Sequence, residues 1–223
     1  MSRGKLIVFE GAEGAGKSTQ LRLLAEWLRA RDHQVVSVRE PGGTAVGDEI
    51  RRVLLDPESD IVPRGEALLF MASRAQLVER EIRPALTAGA LVLVDRFFLS
   101  TYAYQGAGRG LPEADLRNAN SVATDGLVPD YTLLLRIPAR DGLDRASRRG
   151  GHDRMERAEL AFHERVSRAF DRFATREWQA AHTECGPIEL VDAVGTEAAV
   201  FDRVLSALHA KLPSMFPAAA QTV

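Results

Sequence analysis

The chain has 223 residues, 45% hydrophobic and 27% charged, with a formal net charge of −2. That is long enough for one domain with a sizeable core, and it carries no global charge that would favour nucleic acid or an anionic membrane. Cys185 is the single cysteine, which excludes an intrachain disulfide and fits a reducing compartment. No apolar run approaches a membrane span, and the first strand begins too early to leave room for a signal peptide, so a cytoplasmic location is expected. Lys occurs only at Lys5, Lys17 and Lys211, so 26 of the 29 basic residues are Arg. Arg suits planar phosphate recognition, and a biased coding composition explains the ratio equally well.

In chain order, apolar runs bounded by turn signals predict strands at Leu6–Glu10, Gln34–Arg39, Leu91–Asp95, Tyr131–Ile137 and Ile188–Val191. Helical spacing predicts helices at Ser18–Arg31, Val46–Leu55, Gly65–Ala88, Glu113–Ala123, Gly142–Arg149, Ala158–Ala181 and Glu197–Leu212. Strand–helix alternation with nearly continuous apolar strands implies an α/β fold, a parallel sheet covered on both faces. Pro213 is expected to end the last helix, leaving a single domain over residues 1–212 and a loose tail over 213–223. Ligands of such sheets bind outside the carboxyl ends of the strands. Four informative segments follow or end predicted strands, which places them on one rim.

The first is Gly11-Ala12-Glu13-Gly14-Ala15-Gly16-Lys17-Ser18, a complete phosphate-binding loop between a strand and a helix. Its backbone N–H groups, with that of Thr19, can close around phosphate oxygens at a helix N-terminus. Lys17 can reach the β- and γ-phosphates, and the Ser18 hydroxyl can sit on Mg²⁺. The second is Arg39-Glu40-Pro41-Gly42-Gly43-Thr44, a turn in which Pro41 could be cis and Arg39 could fork onto a phosphate. On spacing alone it is equally an ordinary strand-to-helix connector. In the third, Asp95-Arg96, a carboxylate at a buried strand end beside the loop suits Mg²⁺ or its waters; a strand-end salt bridge is the alternative. The fourth runs from Gly142 to Glu156 and mixes Arg145, Arg148, Arg149 and Arg154 with glycines. Such a stretch can close over a triphosphate and offset charge on a moving phosphoryl group, or be a solvated surface.

Taken together, E-G-x-E-G-A-G-K-S, R-E-P-G-G-T, the D-R-x-x-x-S-T-x-A-Y-Q-G stretch from Asp95 to Gly106, and R-x-x-x-D-R-x-E ending at Glu156 resemble bacterial thymidylate kinases, in order and over most of the chain. The resemblance implies a P-loop kinase fold with a five-stranded parallel sheet and a short arginine-rich lid at about 145–156. It implies ATP- and Mg²⁺-dependent phosphorylation of dTMP to dTDP, usually by a homodimer. It implies catalytic roles for Lys17, Arg96, Arg149 and Arg154, with Arg145 and Arg148 less certain. Acceptor binding would fall to Glu13, Arg39, Pro41, Phe70, Arg74, Arg96, Ser100, Thr101, Tyr104 and Gln105. Within that set Phe70 would stack on thymine, Arg74 donate to its O4, and Glu13 accept from the sugar 3′-OH. Metal binding would fall to Ser18, with Asp95 and Glu156 acting through water. Phe97 and Tyr102 depart from the residues usual at their positions. Phe70 and Arg74 share a helix face at i, i+4; by spacing alone they are a core side chain and a surface cation. Their helix is apolar nearly all round, which suits burial against a second subunit.

Three other readings remain at this stage. A deoxynucleoside kinase would share the loop but take an uncharged acceptor. A GTP-dependent switch would need an N-K-x-D guanine-reading motif, which this sequence lacks. A nucleotide-binding module without turnover is the third. The five histidines show no ligand spacing with Cys185, so no zinc site is expected.

Overall fold

The computed structural model describes residues 3–147, 154–155, 159–213 and 215–216. Arg148, Arg149 and Glu156 lie outside them. The strands are β1 (Leu6–Glu10), β2 (Val35–Arg39), β3 (Leu91–Asp95), β4 (Tyr131–Arg136) and β5 (Ile188–Asp192). They form one parallel sheet in the order β2-β3-β1-β4-β5.

Alternation along β1 explains why helices cover both faces. Leu6 and Val8 join one apolar cluster with Val92 and Val94; Ile7 and Phe9 join the other with Leu91 and Leu93. On the second face lie α1 (Lys17–Arg29), through Leu21, Leu24 and Leu28, and α10 (Glu197–Lys211), through Val200, Val204 and Leu208. Each such leucine contributes ~1.5–3 kcal/mol by leaving water. The edge strand β2 is only half-buried, so the continuous burial expected of every strand holds for β1, β3 and most of β4.

The acceptor side is built from α2 (Ala45–Leu55), α3 (Pro63–Leu77) and α6 (Glu113–Thr124). The helix predicted over 65–88 is interrupted by a π-turn, Val78–Ile82, before α4 (Arg83–Thr87). Pro84 has no N–H to give the carbonyl of residue 80, and the widened turn lies directly before it. The segment after β3, to which the sequence pattern assigns no element, is helical: α5 (Phe98–Thr101) runs into a π-helical segment, Tyr102–Gly108. The remaining helices are α7 (Ala139–Ser147), α8 (Leu160–Phe173) and α9 (Arg176–Ala181). One helix was expected over 158–181; the chain breaks because the Thr175 hydroxyl caps α9 by accepting from Trp178 N at 3.3 Å. The tail expected to be loose from Pro213 is held further along, where the buried Phe216 stacks on Trp27 at 5.8 Å.

Candidate active site

The register Phe9↔Asp95 and Arg39↔Asp95 brings the ends of β1, β2 and β3 level, so the predicted rim exists. Gly16 begins α1 at φ +85°, and no side chain caps that helix. Its N-terminal N–H groups are therefore left for an anion. Gly14, at φ +70°, packs so closely on α7 that a Cβ would stand 2.0 Å from the Gly142 carbonyl oxygen. The Lys17 ammonium is buried and donates to the carbonyls of Gly11 at 3.0 Å and Ala12 at 2.8 Å. Burial, reinforced by the Arg96 charge, pulls its pKa down to about 7. The Ser18 hydroxyl donates to Asp95 Oδ2, while Asp95 Oδ1 is buried without a hydrogen-bond partner among the described residues. A hydroxyl and a carboxylate oxygen awaiting a partner form a hard-oxygen donor pair that fits Mg²⁺.

One cavity of about 260 Å³ extends from this loop to α3, lined by Lys17 and Ser18 at one end and Phe70 and Arg74 at the other. Its walls include Arg39, Pro41, Ser100, Thr101, Tyr104 and Gln105. The structure thus gathers every predicted acceptor residue into a single space. The Glu40–Pro41 peptide is cis. The turn that follows is pinned by Gly42 N donating to Ser73 Oγ at 2.9 Å and by Arg51 donating to Pro41 O at 2.9 Å.

Arg96 adopts the left-handed region at φ +72°, which places its guanidinium over the loop. Such strain costs ~1–3 kcal/mol and persists where neighbours over-determine it. Here it donates to Glu13 Oε1 at 3.3 Å, Ser100 Oγ at 3.1 Å and Gly11 O at 3.4 Å. The Tyr104 hydroxyl also donates to Glu13 Oε1 at 3.3 Å, and burial holds that phenol above its ordinary range, so it remains a donor. Glu13 is therefore compensated by a cation and a hydroxyl, which makes a carboxylate inside a phosphate loop tolerable.

Sequence reasoning missed three buried carboxylates. Glu10 accepts from Phe97 N at 2.7 Å, Ser100 N at 3.0 Å and Ser100 Oγ at 2.7 Å, so it caps the turn that presents Arg96. Glu40 forms a buried pair with Arg74, with Nη2–Oε2 at 2.5 Å. Glu66 receives Gln105, Arg109 and Arg154. Glu10 and Glu40 stand inside the recognised motifs but were given no role there, and Glu66 lay outside every motif. Arg74, placed in sequence as a base reader, lines the cavity with every N–H already given to protein. Nε bonds Glu40, Nη1 bonds Thr101 and Asn120, and Nη2 bonds Glu40 and Phe97 O. A base oxygen there must share one of those donors. Arg154, expected at the transferring phosphate, instead donates to Glu66 at 2.6 Å and to the Leu54 carbonyl at 2.8 Å.

A second cavity lies behind the loop, between Gly16, Thr19 and Gln20 on one side and Arg145, Gly195 and Thr196 on the other. The rim after β5 had carried no recognised motif.

A phosphate loop, a hydroxyl–carboxylate pair and a polar acceptor cavity on one parallel-sheet rim define a P-loop nucleotide phosphotransferase. The family model described as thymidylate kinase matches residues 9–193. Among curated relatives, the thymidylate kinase of Deinococcus radiodurans is 53% identical over 170 residues, covering 76% of this chain and 82% of that one. That of Gloeobacter violaceus is 50% identical, covering 76% and 81%. That of a Cyanothece species is 45% identical, covering 96% of this chain and 97% of its own. The chain belongs to the thymidylate kinase family.

Proposed function

We propose that the protein transfers the γ-phosphoryl group of ATP to dTMP, giving ADP and dTDP. The observation that supports this reading is the continuity of the cavity that runs from the phosphate loop to α3, which gives a donor and an acceptor one shared space. A phosphate oxygen of dTMP bonds to the γ-phosphorus as the bond to the β–γ bridging oxygen breaks.

In this reading Gly11 to Thr19 hold the donor phosphates, and Lys17 exchanges its two carbonyl partners for phosphate oxygens. Arg39 and Arg96 orient the acceptor phosphate beside Pro41. Phe70 stacks on the base, while Gln105, Thr101 and the shared donors of Arg74 read its edge. Glu13 accepts from the sugar hydroxyl. Ser18 and Asp95 would hold Mg²⁺, which when bound would supply positive charge to offset that of the donor phosphates. The adenosine moiety fits the second cavity, next to Arg145. Glu156 and Arg149, assigned in sequence to metal and catalysis, lie outside the described residues; their roles rest on the family pattern.

We also propose that the protein works as a homodimer through α2, α3 and α6. Val46, Val53, Leu68 and Val122 are exposed there, Val122 at 84%, although α3 is otherwise packed between its two neighbours. Among the described residues no helix is long and apolar enough to cross a membrane. The buried free thiol of Cys185 accords with the reducing cytoplasm.

The test is a coupled ADP-release assay with ATP and Mg²⁺ against dTMP, thymidine and other nucleoside monophosphates. Turnover confined to dTMP supports the assignment. Turnover of thymidine would instead support the deoxynucleoside kinase reading.

A further inference from the structure

Glu66 lies outside every recognised motif, yet it is completely buried on the first turns of α3. Helical spacing places it on the same face as Phe70 and Arg74, at i, i+4 and i+8. Three side chains from elsewhere converge on its carboxylate. Gln105 Nε2 donates to Oε1 at 2.9 Å, Arg109 Nη2 to Oε2 at 3.1 Å, and Arg154 Nη2 to Oε2 at 2.6 Å. Arg154 is further anchored by its backbone N–H on Leu55 O at 3.1 Å, and Met155 beside it is buried and lines the cavity that runs from the phosphate loop to α3.

An ionised carboxylate can only accept hydrogen bonds. Gln105 must therefore turn its NH₂ toward Glu66, and the amide oxygen becomes the other end of a side chain that lines the acceptor cavity. An amide oxygen fixed in that sense accepts from a donor such as thymine N3–H. It opposes cytosine, whose N3 is a bare acceptor. The two arginines balance the buried charge and tie the Met155 wall to the helix that carries Phe70.

Building on the dTMP assignment above, we propose that Glu66 is a specificity-determining positioning residue: it sets the orientation of the Gln105 amide and so selects a base bearing N3–H. Glu66 does not touch the acceptor itself; it acts through Gln105. Glu66→Gln removes that constraint, because a second amide can pair with Gln105 in either orientation.

The experiment compares kcat/KM for dTMP and dCMP in the full chain, with thermal unfolding measured alongside. Glu66→Gln should lower the dTMP-over-dCMP preference about tenfold, the scale on which one mismatched polar pair discriminates. The KM for ATP should stay at its unmodified value. In a Gln105→Ala background, the same Glu66→Gln change should alter the preference less than about twofold, since residues acting as one unit are not additive. Glu66→Asp keeps the charge for both arginines but withdraws the carboxylate from Gln105, and it carries the test if Glu66→Gln does not fold. Its preference should also fall. An unchanged preference in a folded Glu66 variant, or an equal drop with and without Gln105, would overturn the inference. An unmodified enzyme without dTMP preference would instead overturn the dTMP assignment.

Discussion

Replacing Arg74 by Met tests how the acceptor site is held together. Met keeps most of the side-chain volume and removes all five N–H donors. Both partners of the Arg74–Glu40 pair are nearly inaccessible, at 2% and 3% of side-chain surface. The substitution strands the Glu40 carboxylate, two hydrogen-bonding side chains and the Phe97 carbonyl. Removing one partner of a buried pair costs about 3–5 kcal/mol, because the surviving charge stays buried. For a chain of 223 residues that corresponds to a fall in Tm of about 10 °C. Burial already raises the Glu40 pKa, and Arg74 opposes that rise. Without Arg74 the folded state takes up a proton on Glu40 that the unfolded chain has released. The folded state then binds more protons than the unfolded state, so the deficit of the variant grows as pH rises from about 5 to 8. Urea unfolding of the unmodified chain, Arg74→Met, Glu40→Gln and the double variant at both pH values gives the coupling directly. The double variant should be more stable than the sum of the single losses implies, by roughly 2 kcal/mol or more. Single variants costing under about 1 kcal/mol, or additive losses, would refute the reasoning.

Lys17→Ala should lower kcat by ~10²-fold or more while the protein stays folded, checked by steady-state kinetics with circular dichroism. The unmodified enzyme should take up a proton on binding ATP at about pH 8, because phosphates restore the charge that burial has weakened on Lys17; calorimetry in buffers of different ionisation enthalpy reads this. For the same lysine, the unfolded chain binds more protons between about 7 and its ordinary 10.5. Nucleotide-free stability should therefore rise with pH through that window, relative to Lys17→Ala. Glu13→Ala should narrow the gap in turnover between dTMP and its 3′-deoxy analogue, measured as a ratio of kcat/KM; equal turnover of both by the unmodified enzyme would contradict the role given to Glu13.

The strands were legible because their nearly continuous apolar runs suit a sheet covered on both faces, and the phosphate loop because its glycines admit few other uses. Once the strands were placed, the parallel register alone brought Asp95 level with Phe9 and therefore beside Ser18. Tyr102–Gly108 was not legible as helix, since its two glycines and short length suggest a loop. Its stability comes from packing against α8 and from the Glu10 cap at the start of α5, neither of which local sequence reveals. The break at Thr175 was hidden because apolar spacing continues from Phe170 and Phe173 to Trp178. Glu66 was invisible for a different reason. A glutamate in a helix reads as solvent-facing until its distant partners, Gln105, Arg109 and Arg154, are brought to it by the fold.

The most direct test of the central claim is the relative kcat/KM for dTMP, dCMP and thymidine with ATP and Mg²⁺. The expected result is a preference for dTMP over dCMP of roughly tenfold or more, the discrimination one unmatched buried polar pair supplies, and no turnover of thymidine, which has no phosphate for Arg39 and Arg96 to orient. Equal use of dCMP, or phosphorylation of thymidine, would contradict it.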